Sequence, residues 1–177
     1  MKKFIVLIGL TAVLFISGCQ LPRTSGETPS EQGGTVVRIQ PETTSLKMGD
    51  TISIDILIEN VSDLMGVELE LKFDPAVLQA QDTDTNEDGV QVQSGAFLSP
   101  DFKMRDTVDN NAGVAEYIAV QLAPREPVSG SGLIASITFK AIAPGESELT
   151  LTKTTLASPE GERISATAIS SRVTVGK

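Results

Sequence analysis

Residues 52–59, with the sequence ISIDILIE, decide the fold class of this chain of 177 residues. Isoleucine occupies every second position of this stretch, and Ser53, Asp55 and Leu57 lie between the isoleucines. Side chains of a β-strand point alternately to opposite faces, whereas those of a helix return to one face after three or four residues. The alternation therefore predicts a strand with one buried face. Residues 67–73, VELELKF, have the same pattern.

The alternation recurs along the rest of the chain from residue 35 onward. Clusters of Gly, Pro, Asn and Asp interrupt it about every eight to twelve residues, which is typical of an antiparallel sandwich. One helical turn is predicted at residues 75–79, with Asp74 as its N-cap. The sequence thus predicts an all-β domain over residues 35–177. Strands are predicted at residues 36–39, 52–58, 67–73, 90–93, 102–108, 114–122, 133–142, 147–151 and 164–175.

The first nineteen residues have the pattern of an export signal that ends in a cysteine. Lys2 and Lys3 precede an uncharged run at residues 4–16, which is too short to cross a bilayer of about 30 Å as a resident helix. Residues 16–19, ISGC, resemble the lipobox of bacterial lipoproteins. This resemblance implies removal of residues 1–18 as a lipoprotein signal peptide and lipidation of Cys19. The alternative is a simple secretory peptide with an incidental cysteine.

Residues 19–34 are predicted to form the lipidated end and a disordered tether. Residues 20–34, QLPRTSGETPSEQGG, contain one large aliphatic residue among Pro, Ser, Thr, Gly, Glu and Gln, so they cannot supply a packed face. We therefore expect an extracytoplasmic domain that is displayed on the cell surface. Its contact with the membrane is expected through the lipid anchor only.

Composition excludes several classes of function. The chain has no His and one Cys, so it lacks the residues of Ser-His or Cys-His catalysis and of Cys-based zinc sites. Its formal net charge of -9 opposes binding to a phosphate backbone, so no nucleic-acid partner is expected. Nothing in the sequence supplies a pair of nucleophile and base, and we predict that the chain is not an enzyme.

Four segments in the same order resemble cohesin domains, the dockerin-binding modules of cellulosomal scaffoldins. They are residues 49–51, GDT; residues 65–78, MGVELELKFDPAVL; residues 132–141, GLIASITFKA; and residues 143–145, APG. The resemblance implies a jelly-roll sandwich of about nine antiparallel strands. It also implies a lipid-anchored cell-surface module that docks a dockerin-bearing secreted protein, with polysaccharide breakdown as the associated process. Dockerins are small calcium-loaded helical modules.

The resemblance further implies that the partner binds a flat face formed by the third, fifth, sixth and eighth strands. Residues 65–78 are matched to the third strand, residues 114–122 to the sixth and residues 132–141 to the eighth. Alternation then assigns the outward side chains, with Ile118, Val120 and Leu122 as core. The predicted partner-binding residues are Gly66, Glu68, Glu70, Tyr117, Ala119, Gln121, Ile134, Ser136 and Thr138.

An acidic loop at residues 82–89, DTDTNEDG, raises the question of a cation. Asp82, Asp84, Asn86 and Asp88 lie at alternate positions, a spacing with which a loop can coordinate Ca²⁺. The loop departs from an EF-hand, because its glycine comes eighth and not sixth. A weak Ca²⁺ site and a solvent-exposed acidic turn are therefore both open, and no other cofactor is expected.

A carbohydrate-binding module of the same sandwich architecture is the alternative function. Such modules place a sugar ring on exposed aromatic side chains, and this chain has no Trp. Phe73 and Phe139 are predicted to be core residues. A sugar platform would therefore depend on Tyr117, Phe97 or Phe102.

Overall fold

The computed structural model describes residues 33–177. The predicted signal peptide, Cys19 and nearly all of the tether lie outside the described residues. Within the described range, no helix is long and apolar enough to span a membrane. The secondary structure of this range consists of strands, turns and bends, so the predicted all-β class is confirmed.

Thirteen strands are present between residues 33 and 177. They are β1 (Val36–Gln40), β2 (Thr43–Lys47), β3 (Thr51–Leu64), β4 (Gly66–Lys72), β5 (Leu78–Ala80), β6 (Gln93–Ser94), β7 (Phe102–Asp109), β8 (Val114–Val120), β9 (Val128–Ala141), β10 (Gly145–Ala157), β11 (Arg163–Ile164), β12 (Thr167–Ile169) and β13 (Ser171–Gly176). The number exceeds the predicted nine because several strands are only two or three residues long.

The strands form two sheets. The six-stranded sheet has the order β12-β1-β3-β9-β5, with β6 also paired to β9. The seven-stranded sheet has the order β2-β13-β10-β4-β8-β7, with β11 also paired to β10. The strand pairs are antiparallel except for β1 with β12 and β2 with β13, which are parallel.

The two sheets pack on one hydrophobic core. Ile54, Ile56 and Ile58 of the six-stranded sheet and Leu69 and Leu71 of the seven-stranded sheet are all buried, as the alternation predicts. All residues of this core lie between Val37 and Val175, so the described range carries its own core and is expected to fold by itself.

Two aromatic side chains connect the sheets through the core. Phe73, directly after β4, meets Phe139 of β9 edge to face, with ring centroids 4.9 Å apart. Both side chains are buried, as predicted. Phe73 is followed by a single helical turn, in which the backbone N–H groups of Val77 and Leu78 donate to the Asp74 carbonyl and the Asp74 side chain accepts from the N–H of Ala76.

Sequence patterning missed the strands that bury few apolar side chains. The strand β2 lies at an edge of its sheet and has the polar sequence TTSLK. The predicted strand over residues 164–175 is divided into β11, β12 and β13, which belong to different sheets. A strand at a sheet edge needs little apolar surface, so period-two patterning gives no strong signal there.

Candidate functional site

The strand that the resemblance assigned to the same face as β4, residues 132–141, is not in the same sheet as β4. On its two sides β4 pairs with β8 and β10 of the seven-stranded sheet, whereas β9, which contains residues 132–141, pairs with β3 in the six-stranded sheet. Ile134, Ser136 and Thr138 therefore lie in the opposite sheet from Glu68. Their prediction as part of one face with β4 is wrong, because alternation identifies a strand but not its hydrogen-bonded neighbour.

The predicted outward orientation of Ile134 is also wrong. Its side chain is fully buried, while Ser136 and Thr138 are half-buried on β9. The register of β9 with β3 shifts between Ala135 and Leu133 at an irregularity of the ladder. Such an irregularity changes which residues share a face, so counting by twos across it assigns the wrong side.

Tyr117 and Ala119 of β8 face the core and not the partner. Their side chains are 1% and 0% exposed, and the Tyr117 hydroxyl donates to Ser94 Oγ at 2.8 Å. Ile118 and Val120, which were predicted as core, are half-buried on the opposite side of β8. Burial raises the pKa of the Tyr117 hydroxyl, and the hydrogen bond to Ser94 opposes that shift.

Gly66 shares the outward face of Glu68 and Glu70, as predicted, but is itself buried, whereas Gln121 is buried against the prediction. Gly66 lies in the middle of its sheet between Val120 and Ala157. A Cβ atom at Gly66 would lie 3.1 Å from Val120 Cγ1, so the position has little free space. Gln121 is 6% exposed at the end of the sandwich.

Glu68 and Glu70 of β4 point outward, as predicted, and both are half-buried. Glu68 accepts a hydrogen bond from Lys153 Nζ at 2.6 Å, and Glu70 accepts one from the hydroxyl of Thr152. Both partners belong to β10. The acidic pair of β4 is therefore tied to the strand that sequence reasoning had not placed beside it.

The outward side chains of β10, β4, β8 and β7 form one continuous surface, which we call the outer face. Cross-strand pairs share a face of the sheet, so the register defines its rows. The first row is Ala157, Gly66, Val120 and Phe102; the second is Thr155, Glu68, Ile118 and Arg105; the third is Lys153, Glu70, Glu116 and Thr107.

Large apolar side chains are exposed on and beside the outer face. Phe102 and Met104 of β7 are each 57% exposed, and Leu122, just after β8, is 55% exposed. Together with Ile118 and Val120 they form what we call the apolar strip. Clustered exposed apolar side chains mark interaction surfaces, whereas single ones do not.

Sequence reasoning considered Phe102 only for a sugar platform and missed Met104, because β7 changes face within its own length. The register of β7 with β8 shifts between Lys103 and Arg105, and Met104 is the extra residue. Such a bulge reverses the parity of the strand, so no single alternation fits residues 102–108. On β8 the outward face could have been found from Glu116. Its charge indicates the solvent side, and Ile118 and Val120 lie on the same side of the strand.

Ion pairs surround the apolar strip. Arg105 and Glu116 approach to 2.6 Å across β7 and β8, and Arg125 and Asp101 approach to 2.7 Å beside Leu122. Exposed pairs of this kind add little to stability. Their effect at this place is to neutralise the charges that border the strip.

Asp101 holds the segment that follows β8. Its carboxylate accepts hydrogen bonds from the backbone N–H of Leu122 at 2.9 Å and from Arg125 Nε at 2.7 Å. The hydrogen bond from Leu122 is the larger reason that the pKa of Asp101 lies below 3.8, and Arg125 lowers it further.

We expect a carboxyl ¹³C titration of Asp101 to give a midpoint below 3.8. The variant Arg125→Gln should raise it only in part, and a full return to 3.8 would contradict the backbone contribution.

The acidic loop folds onto its own backbone. Asp82 Oδ1 accepts from the N–H of Asp84, and Asp84 Oδ1 accepts from the N–H and the amide of Asn86. The hydrogen bonds from Asn86 lower the pKa of Asp84. Among the described residues, no group of three or more His, Cys, Asp or Glu side chains could hold a metal ion. Asp82 and Asp84 therefore accept hydrogen bonds from their own loop, and the weak Ca²⁺ site at Asp82, Asp84, Asn86 and Asp88 stays a prediction.

Comparison with known proteins identifies the family. The model of the cohesin domain matches residues 37–175, which is most of the chain. The chain therefore belongs to the cohesin domain family. Among curated proteins, Cell surface glycoprotein 1 of Acetivibrio thermocellus is 34% identical over 88 residues. That match covers 49% of this chain and 4% of the relative, so the chain spans a small part of the relative's length.

Solved structures of cohesins have the same fold. A type II cohesin domain from the cellulosome of Acetivibrio cellulolyticus has a TM-score of 0.67 at 20% identity, with 79% of this chain and 95% of that chain covered. A non-cellulosomal cohesin from Archaeoglobus fulgidus has a TM-score of 0.63 at 16% identity, with 81% and 92% covered. The predicted jelly-roll sandwich is thus confirmed.

A third similar structure is a complex. A chain of a type I cohesin–dockerin complex from Clostridium thermocellum has a TM-score of 0.64 at 12% identity, with 81% of this chain and 99% of that chain covered. The TM-score supports a shared fold. Because the identity is low, the contacts of this chain must be argued from its own surface.

Proposed function

We propose that this cohesin domain is a protein-binding module whose binding surface is the outer face, and that its partner is a dockerin-like module. The observation that carries the proposal is the apolar strip, in which Phe102 and Met104 are each 57% exposed. A soluble domain seldom leaves such side chains together in solvent without a partner to cover them. The similar structures that are cohesin–dockerin complexes support the class of partner.

The outer face has the composition of a protein interface. Its centre is apolar at Ile118 and Val120, and its margin carries the ion pairs of Arg105 with Glu116 and of Lys153 with Glu68. Interfaces commonly combine an apolar centre with a polar rim, and few residues supply most of the binding energy. We assign the anchors to the strip and the selection of partner to the charged margin, where Glu68 and Glu70 lie.

We also propose that the domain is held at the cell surface through lipid on Cys19. The sequence of residues 16–19 and the cell-surface relative support this proposal. A tethered cohesin would recruit a secreted dockerin-bearing protein, with polysaccharide breakdown as the process in which such recruitment is useful. The proposal gives the chain no catalytic role.

A pull-down tests the proposed partner class. Residues 33–177, immobilised, are incubated with the proteins that the host secretes, in Ca²⁺ and in a parallel sample with chelator. We expect a dockerin-bearing protein to be retained in Ca²⁺ and released by chelator, because the resemblance describes dockerins as calcium-loaded modules. Capture of no such protein would refute the partner class, and retention of the domain on an insoluble polysaccharide alone would favour the carbohydrate-binding alternative.

The structure weakens the aromatic platform that the carbohydrate alternative requires. Tyr117 is buried in the core, and Phe97 is half-buried against it. Of the three candidates only Phe102 is exposed. One phenyl ring on a strip of aliphatic neighbours is a better match for a protein partner than for a sugar chain.

A further inference from the structure

Three side chains that contain sulfur lie in the part of the chain that the structure describes: Met48, Met65 and Met104. The one cysteine, Cys19, lies outside that part, and the proposed function assigns it to the lipid anchor. Met65 is half-buried, whereas Met48 and Met104 are 61% and 57% exposed. An oxidant that reaches the domain from solution therefore meets the sulfur atoms of Met48 and Met104 first.

Met104 is exposed because of its place in the bulge of β7. Lys103 pairs with Ala119 and Arg105 pairs with Ile118, so Met104 is the extra residue between two successive pairs. The extra residue of a bulge has no cross-strand partner. The strand β7 is also the last strand of its sheet. The Met104 side chain thus has no directly opposite side chain on β8, and it lies at the margin of the sheet.

The surroundings of Met104 suit an apolar side chain. Met104 belongs to the apolar strip, and the charged side chains on either side of it in the sequence are both paired. Lys103 approaches Asp106 to 2.5 Å, and Arg105 approaches Glu116 to 2.6 Å. A thioether is apolar and polarisable, and methionine is common at surfaces that bind protein partners. In its reduced form Met104 is therefore matched to the surface proposed to bind the partner.

Oxidation by a hydroperoxide changes this side chain from apolar to polar. A lone pair of the sulfur attacks one peroxide oxygen, the O–O bond breaks and an S–O bond forms. The proton of the transferred oxygen passes to the leaving oxygen, which departs as water or, from an organic hydroperoxide, as an alcohol. Sulfur loses two electrons and the peroxide gains them. The product is methionine sulfoxide, whose oxygen is a hydrogen-bond acceptor.

We infer that Met104 is an oxidation site at which hydroperoxides reversibly switch off binding of the protein partner. The inference rests on the proposed function and adds to it a means of control. The partner would bury the sulfoxide oxygen against the apolar strip, and an acceptor that is buried without a donor carries a free-energy cost. Reduction of the sulfoxide restores the thioether, so the loss of binding is reversible.

Peptide mass spectrometry tests the reactivity of Met104 without the partner. Residues 33–177 are treated with graded hydrogen peroxide, and the gain of one oxygen is followed for each methionine. We expect Met104 and Met48 to react at similar rates and Met65 to react at least about threefold more slowly, because it is less exposed. Thermal unfolding should stay unchanged while only the two exposed methionines are oxidised. A Met104 that reacts no faster than Met65 would overturn the inference.

Two leucine variants, each lacking one exposed sulfur, test the effect on binding. Each protein is oxidised at the dose that modifies only the exposed methionines, freed of peroxide, and compared with its own untreated sample. The wild type and the matched control Met48→Leu keep Met104, so their Kd for the captured dockerin-bearing partner should rise about tenfold or more. Met104→Leu should bind equally well before and after treatment. Methionine sulfoxide reductases should restore binding by the oxidised wild type.

The results separate this inference from the proposed function. If the oxidised wild type keeps its affinity, the switch at Met104 is refuted and the proposed function stands. The same holds if treated Met104→Leu loses as much affinity as the treated wild type, because the sensitive group then lies elsewhere. If the untreated wild type captures no dockerin-bearing protein, the proposed function fails and the inference fails with it.

Discussion

Tyr117→Ala should lower the free energy of unfolding of the domain by about 3–5 kcal/mol, the range for removal of a large aromatic side chain from a core. Tyr117 is among the largest side chains that are fully buried, and its hydroxyl reaches Ser94 on β6 of the other sheet. Its removal leaves a void between the sheets and a hydroxyl of Ser94 without this donor. Urea unfolding followed by circular dichroism measures the effect.

Tyr117→Phe separates the ring from the hydroxyl. It keeps the packing and loses one hydrogen bond, so we expect the free energy of unfolding to fall by about 0.5–1.5 kcal/mol.

The stability difference between the wild type and Tyr117→Phe should also depend on pH. The pKa of Tyr117 is raised by burial above 10.0, so the folded state favours the neutral form. The stability that this preference contributes is complete below about pH 10 and is lost as the pH rises further.

The direction in which alkali changes the stability difference between wild type and Tyr117→Phe can therefore be predicted. The wild type should lose more stability than Tyr117→Phe as the pH rises above about 10, since the variant has no phenol to ionise. If Tyr117→Ala instead retained wild-type stability and only weakened partner binding, the core position of this side chain would be contradicted.

The prediction of the fold from sequence succeeded where one face of a strand is apolar and the other polar. Residues 52–58 and 67–73 have that pattern, and both became strands at the predicted places with the predicted buried faces. On β8 both faces carry apolar residues, with Ala115, Tyr117 and Ala119 on one and Ile118 and Val120 on the other. Alternation then gives two solutions, and the choice of Tyr117 as outward was wrong.

The site was harder to predict because it depends on which strands are neighbours. Glu68 and Glu70 were correctly oriented from their own strand alone. The neighbouring strand was not, since β9 and β10 both alternate apolar and polar residues over part of their length, and either fits beside β4 by pattern. The pairing is decided by the long ladder of β9 with β3, a contact between distant parts of the chain. Local periodicity contains no information about such pairings.

The outer face was beyond sequence reasoning for a related reason. Its first row places Gly66, Val120 and Ala157 side by side across three strands, and the bulge at Met104 brings Phe102 into that row. Each of these residues is unremarkable on its own strand. Only the register of the sheet makes them a surface, and that surface sets the experiment with the largest expected effect on binding.

Phe102→Ala should weaken binding of the dockerin-bearing partner by about 2 kcal/mol or more, the loss typical of a residue that anchors an interface. This loss corresponds to a factor of about 30 in Kd. Phe102 lies in the first row of the outer face next to Val120, and more than half of its side chain is exposed. Its removal should therefore cost the fold little, and the loss should appear in affinity measured by calorimetry with the captured partner.

Met48→Ala is the matched control for Phe102→Ala. Met48 is 61% exposed, so it has a comparable area of apolar side chain in solvent. It precedes the turn in which Gly49 and Asp50 pair with Ala141, away from the outer face. We expect unchanged affinity for Met48→Ala. Equal losses for the two variants would mean that exposed apolar area in general drives the association, and an unchanged affinity for Phe102→Ala would remove the apolar strip as the anchor.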